Sequence, residues 1–270
     1  MINIIKGLIK KVTPNYFLNI FRSIFLPNRL VVMIPTFNYD GLATLHEVEF
    51  MEDDRFKKAL SKGLQYTENR DDYYRLYIGS SLAEHSAKLD GDFVECGVWL
   101  GTMSKTIITY INFNNLEKKF FLFDTFEGIP TKNLAEKDGR DKIIYGSEGT
   151  LQVKSKNDTN DKFPDILSLV KSKFQEDNVH IVQGIIPDTL IETSFDKICF
   201  LHVDLNTAKP EVEAIKFFWD KIVTSGIILL DDYAYSKQYH LQKQAIDKIG
   251  CTLNFSVITL PTGQGLIIKP

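Results

Sequence analysis

The residues of this chain best suited to chemistry are glycines and carboxylates placed where apolar runs end. The first group lies in Gly91-Asp92-Phe93-Val94-Glu95-Cys96-Gly97-Val98-Trp99-Leu100-Gly101, where a strand-like run meets a glycine-bearing turn and a helical pattern follows. Gly97 and Gly101 would let the backbone approach a ligand, with a helix N-terminus behind them. Their spacing is Gly-x-x-x-Gly, so the G-x-G-x-x-G that seats a dinucleotide pyrophosphate is absent. Glu95 would repel a pyrophosphate but suits a cationic ligand rich in hydroxyls. As a bare pattern, the segment reads equally as a tight strand-to-helix turn. The second group is Phe121-Leu122-Phe123-Asp124-Thr125-Phe126-Glu127-Gly128. An acid at that strand end can accept hydrogen bonds from both ribose hydroxyls, although a lone aspartate there more often caps a helix or faces solvent.

A third group joins Asp204, in Leu201-His202-Val203-Asp204-Leu205-Asn206, to Asp231-Asp232, which follow Ile227–Leu230. Adjacent aspartates at buried strand ends are costly unless paired or metal-bound. Three oxygen ligands suit Mg²⁺, which could lower the pKa of an acceptor hydroxyl and orient it. The alternative is that one aspartate caps a helix and another binds a tyrosine or lysine. His202 stands two residues before Asp204, on the same sheet face, and reads either as a general base or as a satisfied core histidine. His46, His85, His180 and His240 form no metal-ligand spacing, and no P-loop, zinc motif or Ser/His/Asp elbow is present.

These groups need a scaffold that brings strand ends together. Apolar runs at Phe93–Cys96, Phe120–Phe123, Val179–Val182, Ile198–Val203 and Ile227–Leu230 read as buried parallel strands. Helical stripes lie between them: Met103, Thr106, Ile107 and Tyr110; then Phe163, Ile166, Leu167, Val170 and Phe174; then Val212, Ile215, Trp219 and Ile222. Strand–helix alternation predicts a doubly wound α/β sheet. Phe255–Leu260 and Leu266–Lys269 flank a Gly-rich turn and predict an antiparallel hairpin at the sheet edge. Residues 1–85 read as a helical lid or arm, with Phe56 and Leu60 on one helix. Asp71 would cap a second helix carrying Tyr74, Tyr77, Ile78, Ser81 and Leu82 on one face. The expected catalytic domain is 86–270, and Thr131–Asp161, polar and weakly patterned, is an expected lid-like loop.

Composition narrows the partners. Hydrophobic residues make up 44% and charged residues 25% of 270, ordinary for a globular protein, and the net charge of −3 argues against a nucleic-acid partner. Cys96, Cys199 and Cys251 cannot all pair and none lies in a CxxC, which points to a reducing, cytoplasmic setting. Within residues 1–27, Ile5, Leu8, Ile9 and Val12, then Phe17, Ile20, Phe21, Ile24 and Phe25, repeat at helical period beside lysines. That stretch reads as an arm packed on protein or, second, as a peripheral membrane contact; a signal peptide is not expected.

Taken together, these residues resemble the macrocin and mycinamicin O-methyltransferase family, which acts on sugar hydroxyls of macrolides. The likeness rests on Val94-Glu95-Cys96-Gly97-Val98-Trp99, on Phe123-Asp124-Thr125-Phe126-Glu127-Gly128-Ile129-Pro130, and on Asp204 with Gly226-Ile227-Ile228-Leu229-Leu230-Asp231-Asp232-Tyr233. It implies a Rossmann-like class I methyltransferase fold with a seven-stranded, mostly parallel sheet. It also implies S-adenosylmethionine as donor, and Mg²⁺ held by Asp204, Asp231 and Asp232. Glu95, Gly97 and Gly101 would then face the methionine side of the donor and Asp124 its ribose. The chain departs from the macrolide enzymes where they show Asp-Gly-Asp-Leu-Tyr, since it has Asp204-Leu205-Asn206-Thr207-Ala208. The expectation is O-methylation of a small-molecule or glycan acceptor, with Asp204 and His202 catalytic, in a homo-oligomer. Two rival classes are a non-catalytic or membrane-attached binding protein and a nicotinamide-dependent oxidoreductase.

Overall fold

A parallel strand with helices on both faces must be apolar on both, and the central segments of this chain meet that demand. The computed structural model describes residues 34–67, 70–129 and 165–270. The stretch 1–27 and the lid-like loop lie outside them. The chain divides into two compact units, 1–48 and 49–270. In the first, β1 (Phe37–Tyr39) and β2 (Leu42–Thr44) form an antiparallel hairpin. Its turn residues Asp40 and Gly41 both have positive φ, 48° and 74°, which matches the right-handed twist of the strands.

The second unit opens with α1 (Asp54–Gly63), whose N-cap Asp53 accepts from the Phe56 amide at 2.9 Å, and α2 (Tyr73–Ser86). Then come β3 (Asp92–Cys96), α3 (Thr102–Tyr110), β4 (Phe120–Asp124), α4 (Ile166–Lys173), β5 (Val179–Gln183) and α5 (Asp188–Glu192). β6 (Ile198–Val203), α6 (Ala208–Trp219), β7 (Ile222–Leu230), α7 (His240–Leu253), β8 (Ile258–Thr259) and β9 (Gly265–Ile268) complete it. The seven strands lie in the order β5-β4-β3-β6-β7-β9-β8; all run in one direction except β9, which is antiparallel to both of its neighbours, β7 and β8. Every residue of β6 is buried, as a central strand requires. One face packs Val94, Phe123, Leu201 and Val203 against Ile215 and Phe218 of α6 and Ile246 of α7.

On the other face, alternation aligns Glu95 with His202 as cross-strand partners, His202 with Leu229, and Asp231 two residues beyond. α2 covers this face, and its buried residues are Arg75, Leu76, Gly79, Ser80, Ala83 and Ser86. The sequence reading chose the opposite stripe. Small residues let α2 come close to its neighbours: a Cβ on Gly79 would meet the Met103 sulfur of α3 at 2.5 Å. The aromatic stripe turns aside instead, where Tyr77 stacks on Phe50 with centroids 4.2 Å apart. Other departures are local. Asp72 rather than Asp71 precedes α2, and Ile222 opens β7 rather than continuing α6, which ends at Trp219. β9 inserts between β7 and β8, so the C-terminal hairpin carries a sheet strand and not only an edge. Among the described residues no helix is long and apolar enough to cross a membrane, and all three cysteines are free.

Candidate active site

Strand order reverses beside β3, whose neighbours are β4 and β6, so the loops after these three strands diverge and leave a crevice. A cavity of about 270 Å³ opens there, lined by Gly97, Trp99, Asp124, Asp204 and Asn206 and by the apolar side chains of Phe126, Ile166, Ile186 and Pro210. The loop after β3 is held by Asp124. One carboxylate oxygen, Oδ2, accepts the amides of Val98 at 2.7 Å and Trp99 at 2.8 Å, and Oδ1 accepts that of Phe126 at 2.6 Å. Asp124 thus joins the two loops that wall the cavity, in addition to any ligand it binds.

The two glycines answer to the protein itself. Gly97 has φ 90°, and a Cβ there would lie 1.9 Å from the Asp204 carbonyl oxygen, so the β3 and β6 loops touch backbone to backbone. Gly101 adopts φ 67° as the N-cap of α3, and a Cβ would strike the Phe174 ring at 2.4 Å. Lys173, on α4, ties the same loop down: its ammonium donates to the carbonyls of Leu100 at 2.8 Å, Gly63 at 2.7 Å and Gln65 at 3.1 Å.

Behind the loop a buried chain of charge crosses the strand ends. His202, 1% exposed, lies between Glu95 Oε1, 2.9 Å from Nδ1, and Asp231 Oδ1, 3.6 Å from Nε2. Burial pulls the imidazole pKa down, but Asp231 and Glu95 outweigh it and push it up to about 10. Asp231 continues the chain: Oδ2 meets Arg75 Nη2 at 2.6 Å and Oδ1 accepts from Gln264 Nε2 at 3.0 Å. Arg75 Nη2 also donates to Asp232 Oδ1 at 2.9 Å and to the Asp231 carbonyl at 2.6 Å. Burial opposes ionisation of Asp231, yet Arg75 and His202 hold its pKa below the usual range. Asp204 runs the other way, raised by burial and by Asp231 and Asp232 nearby. Asn206 donates to Asp204 Oδ1 at 2.9 Å.

Set against expectation, Glu95, Gly97, Asp124, Asp204 and Asp231 converge at the strand ends. A second cavity of about 30 Å³, lined by Glu95, Arg70, Trp99 and His202, shares Gly97, Trp99 and Asp204 with the first. Glu95 Oε2 is buried without a hydrogen-bond partner among the described residues. Gly101 shapes the helix start and lies outside the lining of both cavities. His202 is bonded to Glu95 through Nδ1, and its Nε2 faces Asp231 Oδ1 at 3.6 Å, so the ring belongs to the charge cluster behind the cavity. The three aspartates expected to hold Mg²⁺ have partners within the protein: Arg75 and Gln264 take the oxygens of Asp231, Arg75 takes Oδ1 of Asp232, and Asn206 takes Oδ1 of Asp204. No cluster able to hold a metal ion occurs among the described residues. Sequence reasoning missed Arg75 and Gln264; its one available signal was the need of Asp231-Asp232 for a counter-charge.

The sheet order, with its reversed last strand and its crevice at the ends of β3, β4 and β6, defines the class I methyltransferase fold. The chain belongs to the macrocin O-methyltransferase (TylF) family, whose model matches residues 81–248. Over 151 residues it is 22% identical to an 8-demethyl-8-(2,3-dimethoxy-alpha-L-rhamnosyl)-tetracenomycin-C 4'-O-methyltransferase of Streptomyces olivaceus; the match covers 53% of each chain, so this chain spans about half of that relative's length. Among solved structures, the O-methyltransferase NovP superposes with a TM-score of 0.56 at 19% identity, covering 72% of this chain and 79% of that one. CalS11, a calicheamicin methyltransferase, gives 0.56 at 16% identity over 82% and 88%.

Proposed function

We propose that this protein transfers a methyl group from S-adenosylmethionine to a hydroxyl of a sugar carried by a small molecule or glycan. The observation that carries the reading is the pair of adjoining cavities at the strand-order reversal, the larger lined by apolar side chains with Asp124 and Asp204, the smaller by Glu95 and Asp204. Phe126, Ile166, Ile186 and Pro210 form a slot for a flat base, and Asp124 keeps acceptor capacity for ribose hydroxyls beside its backbone bonds. Glu95 Oε2, buried and without a hydrogen-bond partner among the described residues, suits the donor's ammonium group. When bound, S-adenosylmethionine supplies an electrophilic methyl on a sulfonium. Asp204 lines both cavities, and its raised pKa makes its carboxylate the stronger base for the acceptor proton. Asn206 fixes Asp204 through Oδ1, and Trp99 walls the acceptor side against water. The sugar acceptor is argued from the relatives, whose names place methyl groups on rhamnosyl and calicheamicin substrates.

Calorimetric titration tests the donor. S-adenosylmethionine should bind saturably, Asp124→Ala should abolish binding, and NADH should not bind. Incubation with free and nucleotide-linked deoxysugars, read by mass spectrometry, should then yield one added methyl with an acceptor hydroxyl consumed. A folded protein that ignores S-adenosylmethionine or binds NADH instead would sink the reading.

A further inference from the structure

We propose that Arg75 is the built-in cation of the aspartate cluster, so that the site works without a divalent metal ion. A single nitrogen, Nη2, stands where three oxygens converge: Asp231 Oδ2 at 2.6 Å, Asp232 Oδ1 at 2.9 Å and the Asp231 carbonyl at 2.6 Å. Mg²⁺ demands six oxygens at about 2.0–2.1 Å in near-octahedral array. Here N–H donors already occupy both oxygens of Asp231, Oδ1 of Asp232 and Oδ1 of Asp204. Gln264 is fully buried and donates to Asp231 Oδ1 at 3.0 Å. Thr262 Oγ1 donates to the Gln264 side-chain oxygen Oε1 at 2.9 Å, which fixes the amide with its NH₂ toward the aspartate. Asn206 aims its own NH₂ at Asp204 Oδ1, and Tyr239 donates to the Asn206 oxygen at 3.3 Å. Amide nitrogens and guanidinium are donors, not ligands for a hard cation.

Electrostatics gives the arrangement its reason. Two adjacent buried aspartates need positive charge, and a guanidinium cannot lose its proton in a protein. Arg75 is 7% exposed, so water screens little of its attraction to the pair. Tyr235 closes the outer side, its ring centroid 4.7 Å from the guanidinium carbon. The guanidinium is thus a permanent substitute for an exchangeable ion. It is a positioning residue, acting through Asp231 and Asp232 on the acceptor end of the site. The role in catalysis rests on the methyl-transfer reading, but ion binding is measured independently of it.

The experiment is Mn²⁺ titration of the full chain, stripped with chelator, followed by paramagnetic resonance of free Mn²⁺ and by thermal melting. Wild type should show no saturable Mn²⁺ binding at the cluster and no shift in melting temperature. Arg75→Met leaves both carboxylates without their cation, so Mn²⁺ should now bind and raise its melting temperature, and Asp231→Asn in that background should abolish the gain. Wild-type binding that Asp204→Asn or Asp231→Asn removes would overturn the proposal. A folded Arg75→Met protein that gains no ion response would overturn it too. Binding that survives both aspartate changes lies elsewhere and leaves the cluster metal-free as proposed. Should Arg75→Met not fold, the wild-type titration with its aspartate variants decides alone. Failure of methyl transfer itself would appear as absent S-adenosylmethionine binding, which none of these ion readouts depends on.

Discussion

His202 illustrates how neighbours reassign a side chain. Taken from the sequence it is a base or a satisfied core histidine near a strand end; in the fold it lies between two carboxylates, with Nδ1 2.9 Å from Glu95 Oε1 and Nε2 3.6 Å from Asp231 Oδ1. Its pKa, raised from 6.5 to about 10, makes a signed prediction. A folded-state pKa above the unfolded value contributes stability that is fully present below about pH 6.5 and is lost as pH rises through about 10. The stability difference between wild type and His202→Gln should therefore be largest in mild acid and shrink steadily on the alkaline side. Urea denaturation of both proteins across that range checks it, and a difference independent of pH would mean the imidazole is neutral. Gly97 makes a second prediction. Alanine there combines φ 90° with a Cβ 1.9 Å from the Asp204 carbonyl, so Gly97→Ala should cost about 3 kcal/mol or more and weaken donor binding. Chemical denaturation gives the first effect and calorimetry the second. If stability is unchanged, the β3 and β6 loops are not in the contact described.

At the scale of elements, legibility followed burial. The central strands were readable because parallel strands covered on both faces show as continuous apolar runs, Phe120–Phe123 and Ile198–Val203 most plainly. The carboxylates at their ends stood out in the sequence for the same reason, although it did not show that Asp124 bonds the amides of Val98, Trp99 and Phe126. The hairpin around Asp40-Gly41 carried its turn signal in the sequence and was passed over because its strands have only three residues each. α7 was missed because its buried residues, Gln242, Ile246, Ile249 and Gly250, include a polar and a small one that blur the stripe. Arg75 was illegible for a different reason: its partner Asp231 lies 156 residues away, and no local pattern records that pairing. Lys173 shows the same non-local logic and supports a prediction about elements. Its ammonium joins the end of α1, the loop before α3 and α4 through three carbonyls. Lys173→Met should leave those carbonyls without a donor and cost about 3 kcal/mol. It should also weaken S-adenosylmethionine binding, because the loop carrying Val98 and Trp99 loses its anchor. Intact binding with lowered stability would limit Lys173 to holding the helices.

For the molecule as a whole, the two compact units divide the labour in a testable way. Every residue lining the two cavities at the strand ends falls within 49–270, and the family match begins at residue 81. The proposed donor site therefore has all its described walls in one unit, whose apolar core is built around the sheet. A protein lacking residues 1–48 should bind S-adenosylmethionine with the full-length affinity, as measured by calorimetry on both forms. The same pair of proteins tests the amphipathic stretch within residues 1–27, whose lysine-flanked apolar stripes suit either a protein surface or an anionic bilayer. If it packs on protein, including a second copy of the chain, the full-length form should stay in the supernatant when sedimented with anionic vesicles, and truncation should alter its oligomeric state in light scattering. If it binds lipid, only the full-length form should pellet, and added salt should release part of it as the lysines are screened. Loss of donor binding on truncation would contradict the division itself, because it would require residues before 49 to shape the site.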